Sequence, residues 1–199
     1  DRFRSKSNFD WLLWHAKEST GTKGKLPSEL DREVTKSWFA GMRGVAILRE
    51  GGQSTLLRYG PSIYHGHYDD LGLLYNANGY ELSYEIGYGL SSTHCQVGWS
   101  NSTVSHALVT VNEKNQLEAD GSGGSLRGFA ALPSVHFVDA DSPLSYIKEG
   151  VRDYRRSLAV VGAGYTVDCF HVEGGSQHDY GFGSIGTSLE PFGVQELQA

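Results

Sequence analysis

From Trp38 onward, apolar and polar residues alternate in short runs broken by Gly- and Asn-containing turns, a pattern that predicts strands. Gly44 to Arg49, Ser54 to Tyr59, Leu71 to Tyr75 and Tyr80 to Glu85 read as the first four. Val104 to Val111, Gln116 to Ala119, Ser134 to Ala140, Tyr154 to Val161 and Tyr165 to Val172 read as the rest. Asn76-Ala77-Asn78-Gly79 separates two of these runs, and Asn-Gly is the strongest short hairpin signal because both residues tolerate positive φ. Asn112-Glu113-Lys114-Asn115 and Gly162-Ala163-Gly164 mark further turns, and residues 120–124 a loop. Before Trp38 the pattern changes. Ser7-Asn8-Phe9-Asp10 is similar to a capping box, and Phe9, Trp11, Leu12, Leu13 and Trp14 predict one short helix to about Lys17. Residues 19–35 are polar and suit a connector.

Many short strands joined by hairpins predict an all-β protein, an antiparallel two-sheet β-sandwich with one short N-terminal helix. The expected division is residues 1–37 for helix and connector and 38–199 for the sandwich. Composition agrees: 26 Gly, 11 Tyr and only 5 Pro in 199 residues favour strands and turns over a helical bundle. The net charge of −6 argues against non-specific nucleic-acid binding and requires a local basic patch for any acidic ligand. Two cysteines, Cys95 and Cys169, make no disulfide framework and are expected to be free. No apolar stretch approaches the roughly 20 residues that span a bilayer. The chain opens at Asp1-Arg2-Phe3-Arg4 without an initiator Met and reads as a piece of a longer protein. We find no internal repeat, coiled-coil heptad, phosphate loop or Gly-x-Ser-x-Gly elbow.

Candidate chemistry concentrates in Tyr64-His65-Gly66-His67-Tyr68-Asp69-Asp70. On a strand, His65 and His67 would project to one face, able to bind a metal, move protons, or divide those tasks. Zinc takes imidazole nitrogen and carboxylate oxygen, and the hairpin at Asn78-Gly79 folds the Glu85 strand back toward the His67 region. His67, Glu85 and His106 therefore form a chemically sensible ligand set. The plainer alternative makes them hydrogen-bonded or surface histidines and a rim carboxylate. Asp69 and Asp70 are turn formers or partners that orient an imidazole, a role we expect of Asp70. A cupin reading fails, because the Glu lies too far from the His pair and the last His lacks a Pro/Gly-containing context.

A longer series of motifs carries a resemblance. Tyr59-Gly60-Pro61 with His65-Gly66-His67-Tyr68-Asp69-Asp70-Leu71 resembles the central motif of the heparinase II/III-like polysaccharide lyases. The likeness continues through Gly79-Tyr80-Glu81-Leu82, Glu85-Ile86-Gly87-Tyr88-Gly89 and Trp99 to His106. Tyr154-Arg155-Arg156 and Asp168 to Tyr180 fit the later strands, so about residues 38–185 are covered. The resemblance implies an enzyme in which an N-terminal α/α toroid is closed by a β-sandwich, here the sandwich. It implies β-elimination on acidic, uronate-containing polysaccharide, a toroid partner in the same or a separate chain, and a periplasmic or secreted location. Neither nucleic acid nor membrane is an expected partner.

By position, the resemblance assigns His67, Glu85 and His106 as ligands of a structural zinc, and His65 as the histidine facing the substrate cleft. Tyr88 and His94 lie where related enzymes send catalytic side chains toward that cleft, although a plain loop role fits them as well. Glu85 stands where the family has Asp, adding a methylene, and Ala107 where Asn is common. Arg155 and Arg156 are expected as strand-face charges, and His178 as structural. A non-catalytic, metal-stabilised carbohydrate-binding sandwich is the rival reading.

Overall fold

A computed structural model describes residues 36–60, 66–83, 85, 87, 96–117 and 123–184. The expected helix over residues 7–17, and the functional candidates His65, Tyr88 and His94, lie outside the described residues. All strand pairing is antiparallel, in three sheets. The five-stranded sheet runs in sequence order: β1 (Trp38–Ala40), β2 (Val45–Glu50), β3 (Gln53–Arg58), β4 (Leu73–Ala77) and β5 (Tyr80–Glu81). A two-stranded sheet pairs β6 (Val109–Val111) with β11 (His178–Tyr180). The four-stranded sheet is a second meander of β7 (Ser125–Leu132), β8 (Val135–Asp141), β9 (Asp153–Val161) and β10 (Tyr165–Glu173). β2 and β3 pack against β8 and β9, giving the expected all-β sandwich.

Strand periodicity places the core. On β2 and β3, Ala46, Leu48 and Leu57 are fully buried, and on β9 the inward phase is Tyr154, Arg156, Leu158 and Val160. Burying one such leucine contributes about 1.5–3 kcal/mol. Three of the four β9 residues are what a core demands; Arg156 is not, and its reason lies in the site below. The strand ends are fastened by side chains: His136 of β8 lies 2.7 Å from Ser37 Oγ through Nδ1 and 3.0 Å from Glu50 Oε2 through Nε2. Ser37 Oγ also accepts the Arg49 backbone N–H at 2.7 Å. No helix among the described residues is long and apolar enough to cross a membrane. Cys169 is a free, exposed thiol, as expected, and Cys95 lies outside the described residues.

The Asn-Gly signal at the β4–β5 turn holds in detail, with φ of 53° at Asn78 and 82° at Gly79. Both central residues are left-handed, the conformation whose twist matches an antiparallel pair. A Cβ on Gly79 would meet open space, so only backbone strain opposes a side chain there. Gly79→Ala is therefore expected to lower unfolding free energy by about 1 kcal/mol in urea titration.

Several expected strands are shorter or absent. Val104 to Val111 divides into a 3-10 turn over Thr103–Ser105 and the short β6. Ser105 Oγ bonds back to Ser102 O at 2.8 Å and Ser102 Oγ to Trp99 O at 2.5 Å, side-chain bonds that favour a turn over a ladder. Gln116 and Leu117 lie outside any strand, and β5 stops at Glu81. Conversely, β7 and a 3-10 segment over Pro143–Glu149 were not expected.

Candidate metal centre

Residues 66–72 form a loop between β3 and β4, not a strand. Leu71 is left-handed at φ 66°, and Gly72 N–H donates to Asp69 O at 2.8 Å, closing a turn. His67 therefore sits on a loop, which lacks the two-residue repeat of a strand, and His65 lies outside the described residues. This loop places His67, while Tyr68 N–H donates to Asn101 O at 2.9 Å and ties it to the segment that carries the third candidate ligand. Glu85 comes from the chain just beyond β5. That chain is latched by Ser83, whose Oγ accepts Tyr75 N–H at 2.6 Å and donates to Leu73 O at 3.2 Å. His106 follows the Thr103–Ser105 turn and is buried at 3 % exposure.

Three separate segments thus bring His67, Glu85 and His106 together. One donor atom from each lies within 4.8 Å of the others. Glu85 reaches both rings: Oε2 is 2.6 Å from His106 Nδ1, and Oε1 is 3.5 Å from His67 Nδ1. The extra methylene relative to Asp is accommodated by this span. The imidazole centroids are 5.2 Å apart and tilted by 40°. Donors at roughly 2.0–2.2 Å from a tetrahedral zinc stand about 3.3–3.5 Å apart; the His67–Glu85 pair is at that spacing, and the His106–Glu85 hydrogen bond would open to seat an ion. Two imidazoles and one carboxylate are also a donor set that zinc accepts. These residues fit a zinc ion.

The electrostatics match that use. Burial lowers the His67 pKa and the neighbouring His106 lowers it further, against the opposing pull of Glu85, which favours the neutral ring a metal needs. Burial raises the Glu85 carboxyl, but the His106 hydrogen bond, the imidazole charges and the Gly87 N–H outweigh it and hold the group below its usual value. Asp69 is pushed up to about 6 by burial, against the charges of Arg58 and His106. Asp69, Glu85 and His106 line a cavity of about 70 Å3 together with Leu56, Arg58 and Leu74. Because Leu57 and Leu73 point into the core, alternation puts Leu56, Arg58 and Leu74 on the outer face of the five-stranded sheet. The centre therefore sits over that face, outside the sandwich core.

Asp70 is held by a separate set of partners. Among the described residues its carboxylate accepts from Arg58 Nη1 at 2.9 Å, Ser142 Oγ at 3.3 Å and Ser145 Oγ at 3.2 Å, and it reaches no imidazole. Its backbone is held by the Gln116 amide, with Asp70 N–H to Oε1 and Nε2–H to Asp70 O both at 2.8 Å. Gln116 N–H also donates to Thr103 Oγ1 at 2.9 Å, so one residue links the first and third ligand segments.

Arg156 is the larger departure. It is no strand-face charge but a fully buried cation. Its guanidinium pairs with Asp168 through Nε at 2.9 Å and Nη2 at 2.5 Å, and Tyr180 OH lies 3.1 Å away. Nη1 donates to Leu71 O at 2.7 Å and Ala107 O at 2.6 Å, carbonyls next to the loop that bears His67 and to His106 itself. The opposite sheet thereby fixes both histidine segments from behind. Sequence carried a signal for this: Arg156 is in phase with Tyr154, Leu158 and Val160. Arg155, in the opposite phase, pairs with Asp139 at 2.8 and 2.5 Å, as a strand-face charge should. His178, expected to be structural, is exposed with its ring 2.7 Å from Gly174 O.

No protein-family model matches the chain, and no curated protein matches it. Solved structures do. Heparinase III, the BT4657 gene product, superposes with a TM-score of 0.60 at 20% identity, covering 86% of this chain and 26% of that one. Heparan sulfate lyase HepC from Pedobacter heparinus gives 0.60 at 15% identity, with 86% and 26% covered. A further heparinase III gives 0.57 at 13% identity, with 70% and 23% covered. The fold is heparinase III-like. At these identities the likeness is one of fold, and the chain spans about a quarter of the length of the proteins it matches. The heparinase III-like fold agrees with the resemblance carried by the motif series.

Proposed function

We propose that the chain is the β-sandwich portion of a polysaccharide lyase that cleaves uronic-acid-containing polysaccharide by β-elimination, braced by a structural zinc. The observation that carries this reading is the convergence of His67, Glu85 and His106 from three segments within a heparinase III-like fold. A bound zinc would supply a fixed divalent charge that holds those segments together. His67 and His106 would donate imidazole nitrogens to it and Glu85 its carboxylate, with the buried Arg156 and Gln116 setting the approach of the ligand-bearing backbone.

The reaction needs a base for the proton α to the uronate carboxyl, an acid for the leaving oxygen, and groups that neutralise the carboxylate as charge moves onto it. We assign His65 to carboxylate neutralisation and Tyr88 and His94 to the cleft, on the motif resemblance. The remaining machinery belongs to an α/α toroid partner, in the same protein or a separate chain. A polymer substrate of this kind cannot cross a membrane, which supports a periplasmic or secreted enzyme.

The test uses the enzyme with its toroid partner. Incubation with uronate polysaccharides is expected to produce unsaturated uronate ends, seen as new ultraviolet absorbance. His65→Ala should cut turnover while zinc content stays at the wild-type level. Wild-type enzyme that releases no unsaturated ends from any uronate polymer would instead favour the non-catalytic binding module.

A further inference from the structure

Two polar atoms beside the proposed zinc centre are buried without a hydrogen-bond partner among the described residues: His106 Nε2 and Asp69 Oδ1. Such atoms are costly, at about 1–3 kcal/mol each, and their occurrence as a pair calls for a reason. Asp69 Oδ1 lies 2.6 Å from Arg58 Nη1 as an ion pair outside hydrogen-bonding alignment, while the same nitrogen donates to Asp70 Oδ1 at 2.9 Å. Asp69 therefore has a charge contact and a vacant lone pair. Both residues line the same 70 Å3 cavity, which Glu85 also lines. His106 Nδ1 is already turned to Glu85, so in a zinc-loaded centre Nδ1 is the ligand and Nε2 carries the proton.

We propose that Asp69 is the positioning carboxylate of this centre, accepting His106 Nε2–H across their shared cavity and so presenting Nδ1 to the ion. The inference rests on the zinc reading above. Metal-bound histidines commonly donate their second N–H to a carboxylate, which fixes tautomer and ring angle and strengthens the ligand. A cavity of this size admits a water, so the bond can be direct or bridged by one. Asp69 touches neither ion nor substrate, and its role runs through His106 alone.

The test measures zinc affinity of the 199-residue chain by competition with a chromophoric chelator. Asp69→Asn is expected to weaken binding about 10- to 100-fold. Arg58→Gln, which removes the ion pair to Asp69 but leaves its carboxylate facing His106, is expected to stay near the wild-type affinity. In long-range proton–nitrogen spectra of the zinc-loaded chain, the His106 Nε2–H signal should be protected from exchange in the wild type and lost in Asp69→Asn. Equal affinity in wild type and Asp69→Asn overturns the proposal. An equal loss in Arg58→Gln also overturns it, because the effect would then come from the ion pair. A wild-type chain that binds no zinc removes the zinc reading and this inference with it, whereas a zinc-binding wild type with an indifferent Asp69 removes the inference alone.

Discussion

Arg156→Met is expected to destabilise the chain by about 3–5 kcal/mol, the range found when one partner of a buried ion pair is removed. Among the described residues Asp168 would keep the Tyr180 hydroxyl, 2.7 Å away, as a hydrogen-bond donor. The carbonyls of Leu71 and Ala107 would also lose the donor they share. Those carbonyls make the prediction specific. A buried pair can often be replaced by apolar residues at little cost, provided nothing else depended on it. Here something does: Leu71 O would be left without its donor, at a cost of about 1–3 kcal/mol, and Ala107 O would keep only the Leu73 N–H at 3.3 Å. The double variant Arg156→Met with Asp168→Leu should therefore recover only part of the loss in urea unfolding of the metal-free chain. A double variant as stable as the wild type would show that the cation serves Asp168 only and does not clamp the histidine segments.

The second large effect is on metal. His106→Ala removes a proposed ligand that is buried, already bonded to Glu85, and attached to a backbone pinned by Arg156. Zinc affinity is expected to fall by more than about 100-fold, beyond the range for partners outside the ligand shell. His67→Ala should act the same way, since its loop is tied to the His106 segment through Tyr68 and Asn101. The metal-free variants should remain folded, because the sandwich core lies on the other face of the sheet from the centre. Circular dichroism together with chelator competition separates loss of zinc from loss of fold.

Much of this architecture was legible in the residues, and the exceptions have physical causes. Strands β3, β9 and β10 show clean alternation, and Asn78-Gly79 fixes its turn by conformational preference. β7 was hidden because Gly128, Ala130 and Ala131 blur its alternation, and its register shifts between Leu126 and Gly128. The strand expected from Leu71 starts at Leu73 because Leu71 is left-handed, a conformation that residue type does not announce. The ligand set could be proposed from residue type and motif, but the identity of the supporting carboxylate could not. Asp69 and Asp70 are chemically identical neighbours, and only the packing of Ser142, Ser145 and Gln116 around Asp70 separates their roles. Arg156 was legible by phase, yet its charge pointed the other way; tertiary hydrogen bonds overrode composition.

The account stands on His67, Glu85 and His106 being a zinc centre, and elemental analysis of the purified chain tests that most directly. Wild type is predicted to carry about one zinc per chain, and His67→Ala none. No metal in the wild-type chain after exposure to zinc, or full metal retention in His67→Ala, would contradict it.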